Sequence, residues 1–308
     1  LGRVVEDIGE SVARVDGRDL RLTIDTKIQF FAYQRVRDAV AEHRATSGSV
    51  VVLDVATGGV LAMANYPSFT PGVRGVTAAS ARRNLALVDT AEPGSTMKPF
   101  IAALALESGR FRPSDVIQTA PGKLYVTGLP ITDEHSMPAM TVEQVVQKSS
   151  NVGTAKIALQ MPAREIWDLY TRVGFGQKPQ IDFPGRVTGK LRAHQSWRPI
   201  DHATIGFGYG VSVSLMQLAQ SYTVFARDGD MVPLSLTMPE EGAPLEPQVR
   251  QQVVSAQTAK AVRRMLEMVT QPGGTALKAA VPGYSVAGKT GTSRKWVDKE
   301  RRYANDRH

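Results

Sequence analysis

Residues 48–67 read GSVVVLDVATGGVLAMANYP, two β-rich apolar runs joined by a Thr-Gly-Gly turn. Runs of this kind around a glycine turn fold back on each other as an antiparallel hairpin. The segment before them, DTKIQFFAYQRVRDAVAEHRA, opens with a capping residue at Asp25 or Thr26. Its apolar residues Ile28, Phe31, Val36, Ala39 and Val40 fall roughly along one helical stripe. A long helix beside a hairpin begins an α+β layer.

A short strand, LRLTID, is predicted just before that helix, and residues 66–91 read as loop. Further helices follow. One runs from Ser95 to about Glu107 with Gly109 as its stop. A second is announced by Thr141 and Gln144 at capping-box spacing, and VGTAKIALQ, ending at Pro162, makes a third. SLMQLAQSYTVFARDG repeats the capping box at Ser214 and Gln217, and SAQTAKAVRRMLEMVTQPGG is closed by proline and glycine. GYSVAGKTGTS is predicted as a strand. Helices in the middle and strands near both ends describe a helical region inserted into an antiparallel sheet drawn from distant parts of the chain.

Composition narrows the function by exclusion. No apolar run approaches the roughly 20 residues of a spanning helix. Cysteine is absent, which rules out disulfides, thiolate metal sites and a cysteine nucleophile. The net charge of +8 suits an anionic partner or a merely basic surface, but no basic run alternates with aromatics as a nucleic-acid surface requires. The five histidines show no metal-ligand spacing, so neither metal nor cofactor is predicted, and His135 in DEHSM reads as a loop residue. Met97 and Met161 read as core. The chain starts at Leu1 without a signal-like segment and reads as a piece of a longer protein.

The chemistry concentrates in three short patterns. In EPGSTMKPF, Ser95 and Lys98 lie three apart, on one helical face, so a base stands near a hydroxyl at a helix start where backbone N–H groups are unpaired. Alone, Ser-x-x-Lys is most often an ordinary helix cap. KSSNVG places Ser149 and Asn151 in a turn between helices, and alone it too is a turn. GKTGTS sets Lys289, Thr290, Gly291 and Thr292 on the predicted strand, where Gly291 leaves room for another chain to approach the backbone. Alternation puts the two threonines opposite Lys289.

Taken together and in this order, the three patterns resemble the signature of penicillin-binding proteins and serine β-lactamases. The likeness extends through YPSFTP, SSNVGTAKIALQM and FGYGVSVSLMQLA, from about residue 20 onward, and EPGST with SSN looks like the septal type of class B enzyme. The resemblance implies an α+β penicillin-binding fold, with residues 1–20 a lead-in or remnant of a non-catalytic module and 21–308 a transpeptidase domain. It implies two further strands and a helix beyond the sequence given. It also implies roles. Ser95 would be the acylated nucleophile and Lys98 its base; Ser149 would relay a proton and Asn151 would hold Lys98 and the substrate amide. Lys289, Thr290 and Thr292 would hold a carboxylate, and the N–H groups of Ser95 and Thr292 would form the oxyanion hole. The implied partners are peptidoglycan stem peptides ending in D-Ala-D-Ala, β-lactams, and division-complex membrane proteins including a glycosyltransferase. The implied place is the periplasmic side of the inner membrane, behind a single-pass anchor. A class A β-lactamase would need a water-activating glutamate after the second pattern, and none lies between Glu165 and Glu240. A D,D-carboxypeptidase and a silent lactam-binding sensor remain open.

Overall fold

Asp25 caps α1 (Thr26–Glu42) by accepting the N–H groups of Lys27 and Ile28. The buried face is Ala32, Val36 and Val40 with Ile28 beside them, while Phe31 and Ala39 are exposed, a correction to the predicted stripe. Positions 28, 32, 36 and 40 follow one another at i, i+4 spacing along one face of the helix. The row packs on the predicted hairpin, β1 (Gly48–Leu53) and β2 (Val60–Tyr66), in register from Gly48↔Tyr66 to Val52↔Ala62. The connection is longer than a two-residue turn. Asp54 closes it by accepting from the Ala56 N–H and the Thr57 hydroxyl.

The structure, a computed structural model, describes residues 15–72, 79–239 and 250–293 and the backbone pairing of 296–297 with 302–303. Beside β2 run residues from two distant segments: Val60 N–H donates to Ser235 O, and Thr23 N–H to Leu236 O. The predicted strand LRLTID contributes one bridge, Leu22 to Thr237. Within the expected loop lie a 3-10 turn, Ala79–Arg82, and α2 (Leu85–Val88). Next come the turn Gly94–Met97 and α3 (Lys98–Glu107), then β3 (Val116–Gln118), the hairpin β4 (Lys123–Val126) and β5 (Leu129–Thr132), and β6 (Ala139–Thr141). The helices α4 (Val142–Gln147), α5 (Asn151–Ala158) and α6 (Ala163–Arg172) follow. Then come β7 (Lys190–Leu191), α7 (Pro199–Ile205), β8 (Val211–Ser212), α8 (Leu215–Ala226), β9 (Asp230–Met231), β10 (Gln251–Gln252), α9 (Ala256–Thr270), β11 (Trp296–Val297) and β12 (Arg302–Tyr303).

Both capping boxes form, at Thr141 with Gln144 and at Ser214 with Gln217. Helix α3 is buried from Lys98 to Ala105 because α4, α5, α6 and α9 surround it, which accounts for a sequence apolar on every side. The six strand pairs of the described residues are antiparallel, each two-stranded, and flanked by these helices: an α+β fold.

The segment 283–293 is not a strand, contrary to its β-rich sequence. A ladder needs a neighbouring strand, and this segment's contacts go elsewhere. Gly288 N–H donates to Leu266 O on α9, and Val286 O accepts the Thr270 hydroxyl. The chain is thereby laid along the end of α9 and against the start of α3.

Candidate active site

Proline at 99 decides the shape of the turn that carries Ser95. It has no N–H to offer the Ser95 carbonyl, so that carbonyl accepts instead from Lys98 N–H, and Gly94–Met97 winds as a 3-10 turn before α3 begins. Ser95 therefore lies in the turn leading into the α-helix, not within its first turn as the sequence pattern suggested. The turn is clamped between backbones. A Cβ on Gly208 would stand 2.1 Å from Gly94 O, and one on Gly94 would stand 2.4 Å from Thr292 O. Both glycines have positive φ, 91° and 56°, a region that suits residues without a Cβ. Gly291 faces the same turn: a Cβ there would come within 2.8 Å of Thr96 Cγ2 and 3.2 Å of Pro93 O. The chain that approaches Gly291 is thus the protein's own turn around Ser95.

Lys98 is 1% exposed and projects its amine toward the second pattern. Nζ donates to Ser149 O, to Ser149 Oγ at 3.1 Å and to Asn151 Oδ1 at 2.8 Å. No hydrogen bond joins it to Ser95 Oγ among the described residues. Burial, reinforced by the charge of Lys289, holds its pKa well below the usual lysine value, against the weaker opposing pull of Asp133 and Glu134. Lys289 donates to the same hydroxyl, Ser149 Oγ, at 2.8 Å, and to Thr290 O at 3.0 Å. Burial pushes its pKa down to about 8, with Glu134 opposing. One serine hydroxyl therefore bridges two lysines, both of them made weaker bases by burial.

The threonines separate. Thr290 Oγ1 turns back to within 3.5 Å of Lys289 Nζ and shares a 2.8 Å hydrogen bond with Thr275 Oγ1, which answers the alternation problem because the segment is not a regular strand. Thr292 approaches through its backbone, against Gly94.

Three contributors were not legible in the sequence patterns. Asp133, just after β5, accepts from Asn151 N–H at 2.5 Å, Val152 N–H at 3.0 Å and Ser150 Oγ at 2.7 Å. A carboxylate at the unpaired N–H groups of a helix start is well placed electrostatically, and here it fixes the first turn of α5. Asn151 is further tied by Nδ2 donating to Thr132 O at 2.9 Å. Ser149 has a left-handed backbone, φ 61°, which aims both its carbonyl and its hydroxyl at Lys98. Tyr222 donates to Thr96 O.

The chain is 41% identical over 309 residues to a probable peptidoglycan D,D-transpeptidase, PenA, of Neisseria gonorrhoeae, covering 100% of this chain and 52% of the relative. It is 40% identical over 304 residues to the peptidoglycan D,D-transpeptidase FtsI of Escherichia coli K12, covering 99% of this chain and 50% of the relative. It thus spans about half the length of these curated relatives. Among solved structures, the transpeptidase domain of Burkholderia pseudomallei penicillin-binding protein 3 superposes with a TM-score of 0.84 at 43% identity, over 92% of this chain and 80% of that one. The penicillin-binding protein transpeptidase family itself matches residues 48–308, a span that holds all three patterns gathered around Ser149. By that match and by the arrangement of serines and lysines it encloses, the chain belongs to the family of penicillin-binding protein transpeptidase domains.

Proposed function

We propose that this domain is a serine D,D-transpeptidase that cross-links peptidoglycan stem peptides during septal wall synthesis and is acylated by β-lactams. The observation that carries the reading is the pair of lysines on Ser149 Oγ, a buried Lys98 with its pKa held low and a less deeply buried Lys289. A neutral Lys98 keeps two N–H groups, for Ser149 O and Asn151 Oδ1, and has a lone pair that can accept the Ser95 proton. The third donation, to Ser149 Oγ, belongs to its protonated form, and a protonated Lys289 can hold a carboxylate.

Ser95 Oγ loses its proton to Lys98 Nζ and attacks the carbonyl carbon of the penultimate D-alanine. The N–H groups of Ser95 and Thr292 stabilise the resulting oxyanion, each such donor contributing about 3–4 kcal/mol in comparable sites. The apposed backbones of Gly94 and Thr292 support that pairing. The proton passes from Lys98 through Ser149 to the departing amine, D-alanine leaves, and an ester to Ser95 remains. The amine of a second stem peptide attacks the ester, its proton returns to the serine through Lys98, and the cross-link is made. Asn151 holds the lysine and the substrate amide, while Lys289 and Thr290 hold the terminal carboxylate.

The relatives PenA and FtsI, both peptidoglycan D,D-transpeptidases by name, support the substrate class, and the likeness of EPGST and SSN to the septal type of class B enzyme supports the septal setting. By the same likeness the domain works on the periplasmic side of the inner membrane among division proteins, a glycosyltransferase included. Intact-mass spectrometry of the chain after exposure to a penicillin, with peptide mapping, tests the nucleophile. One adduct on the Ser95 peptide is expected, and none in Ser95→Ala, whose fold is retained; an adduct that survives this substitution refutes the assignment. With a D-Ala-D-Ala donor and an amine acceptor, release of D-alanine without cross-linked product would point to a carboxypeptidase instead.

A further inference from the structure

The nucleophile turn is also held by a side chain to which the reaction above gives no part. Tyr222, on α8, donates its hydroxyl to Thr96 O at 2.6 Å across 126 residues of chain. Two carbonyls beside it are met from within the segment: Pro93 O accepts from Thr96 N–H and, at 2.7 Å, from Thr96 Oγ1, and Ser95 O accepts from Lys98 N–H. The Thr96 carbonyl, on the peptide unit between Ser95 and Lys98, is met from outside. The ring of Tyr222 stands edge-on to Phe100 at 5.6 Å and to Phe225 at 5.8 Å. Tyr222 thus touches α3 with its ring and the turn before it with its hydroxyl. Withdrawal from water pushes the tyrosine pKa up, so the hydroxyl remains a donor throughout the working pH range.

A single 3-10 turn has poorer hydrogen-bond geometry than an α-helix, and rotation of its 96–97 peptide plane swings Ser95 relative to Lys98. Proton transfer demands that oxygen and nitrogen stay within hydrogen-bond reach, and small displacements are expensive in rate. We propose that Tyr222 is a positioning residue: it fixes the 96–97 peptide so that Ser95 and Lys98 keep the mutual placement that acylation needs, and it acts on the rate of acylation and not on binding. This role rests on the reading of Ser95 and Lys98 given above.

Tyr222→Phe removes one oxygen and leaves the ring. Time courses of adduct formation over a range of penicillin concentrations yield the limiting acylation rate constant and the half-saturating concentration separately. The rate constant is expected to fall about fivefold to tenfold, with half-saturation unchanged within about twofold. Tyr170→Phe is the matched control, because the Tyr170 hydroxyl is fully buried in the same aromatic cluster but donates to Ile205 O, at 3.0 Å, outside the nucleophile turn. It is expected to lower the melting temperature and leave the rate constant alone. A parental rate in Tyr222→Phe, or equal losses in both variants, overturns the role. A parent chain with no Ser95 adduct refutes the acylation reading itself, and the positioning role with it.

Discussion

Replacing Lys289 by methionine separates what that residue does for the fold from what it does for the reaction. Its pKa falls from 10.5 to about 8 through burial, a difference worth about 3 kcal/mol in favour of the neutral form. The unfolded chain holds the proton up to 10.5, while the folded chain gives it up near 8. Between those values the unfolded state binds more protons, so this group adds stability as pH rises through the window and withholds it below about 8. At pH 7 the methionine variant escapes the penalty but gives up the donations to Ser149 Oγ and Thr290 O, about 1 kcal/mol each. It is therefore expected to be about 1 kcal/mol more stable than the parent at pH 7, and about 2 kcal/mol less stable above pH 10. Urea denaturation of both chains at the two pH values measures the crossing. Acylation by penicillin at pH 7 should fall at least about 100-fold, since a charge-assisted anchor for the carboxylate is lost. In the parent, acylation should rise with pH as Lys98 deprotonates and fall beyond about pH 8 as Lys289 does. A stability difference that does not change with pH would refute the argument, because it would mean that Lys289 titrates alike in both states.

Two further substitutions probe the frame of the site. Asp133→Ala strands two backbone N–H groups and the Ser150 hydroxyl at the start of α5, and should cost about 3 kcal/mol with slower acylation; a loss below about 1 kcal/mol in urea denaturation would contradict the anchoring role. Gly208→Ala pushes a methyl group into Gly94 and should cost at least about 3 kcal/mol together with penicillin labelling, whereas Gly109→Ala, also at positive φ but facing open space, should cost about 1 kcal/mol and keep the labelling. Equal effects of the two would show that backbone conformation matters and the clamp does not.

The sequence was most informative where a local rule decides the outcome. Asp25, Thr141 and Ser214 cap their helices as their spacing suggests, and the Thr-Gly-Gly hairpin pairs as expected, because each depends on contacts within a few residues. It was less informative where tertiary contacts choose among local possibilities. Phe31 fits a helical stripe as well as Ala32 does, and only the hairpin beneath α1 selects the latter. Residues 283–293 have strand-like composition, but pairing is a property of two segments. The hairpin β4–β5 could have been read from KLYVTGLPIT, where Thr127 and Gly128 both take positive φ in the turn. The three patterns that meet at Ser149 were visible because the combination and order of their residue types are distinctive. Asp133, Tyr222 and the left-handed Ser149 were not, since a carboxylate, a phenol or a serine turn has no distinctive spacing, and each gains its meaning from a partner remote in sequence or from a backbone angle.

That remoteness governs when the site comes into being. The hydrogen bond from Lys289 to Ser149 closes 140 residues of chain, and that from Tyr222 to Thr96 closes 126. Contacts of such long range pay their loop-closure entropy before they return anything, so they form late on a folding route and cannot be held by a partly folded chain. During refolding, competence to be labelled by penicillin should therefore appear with the slowest phase, after the helical signal has recovered, which makes the antibiotic a clock for the last step of folding.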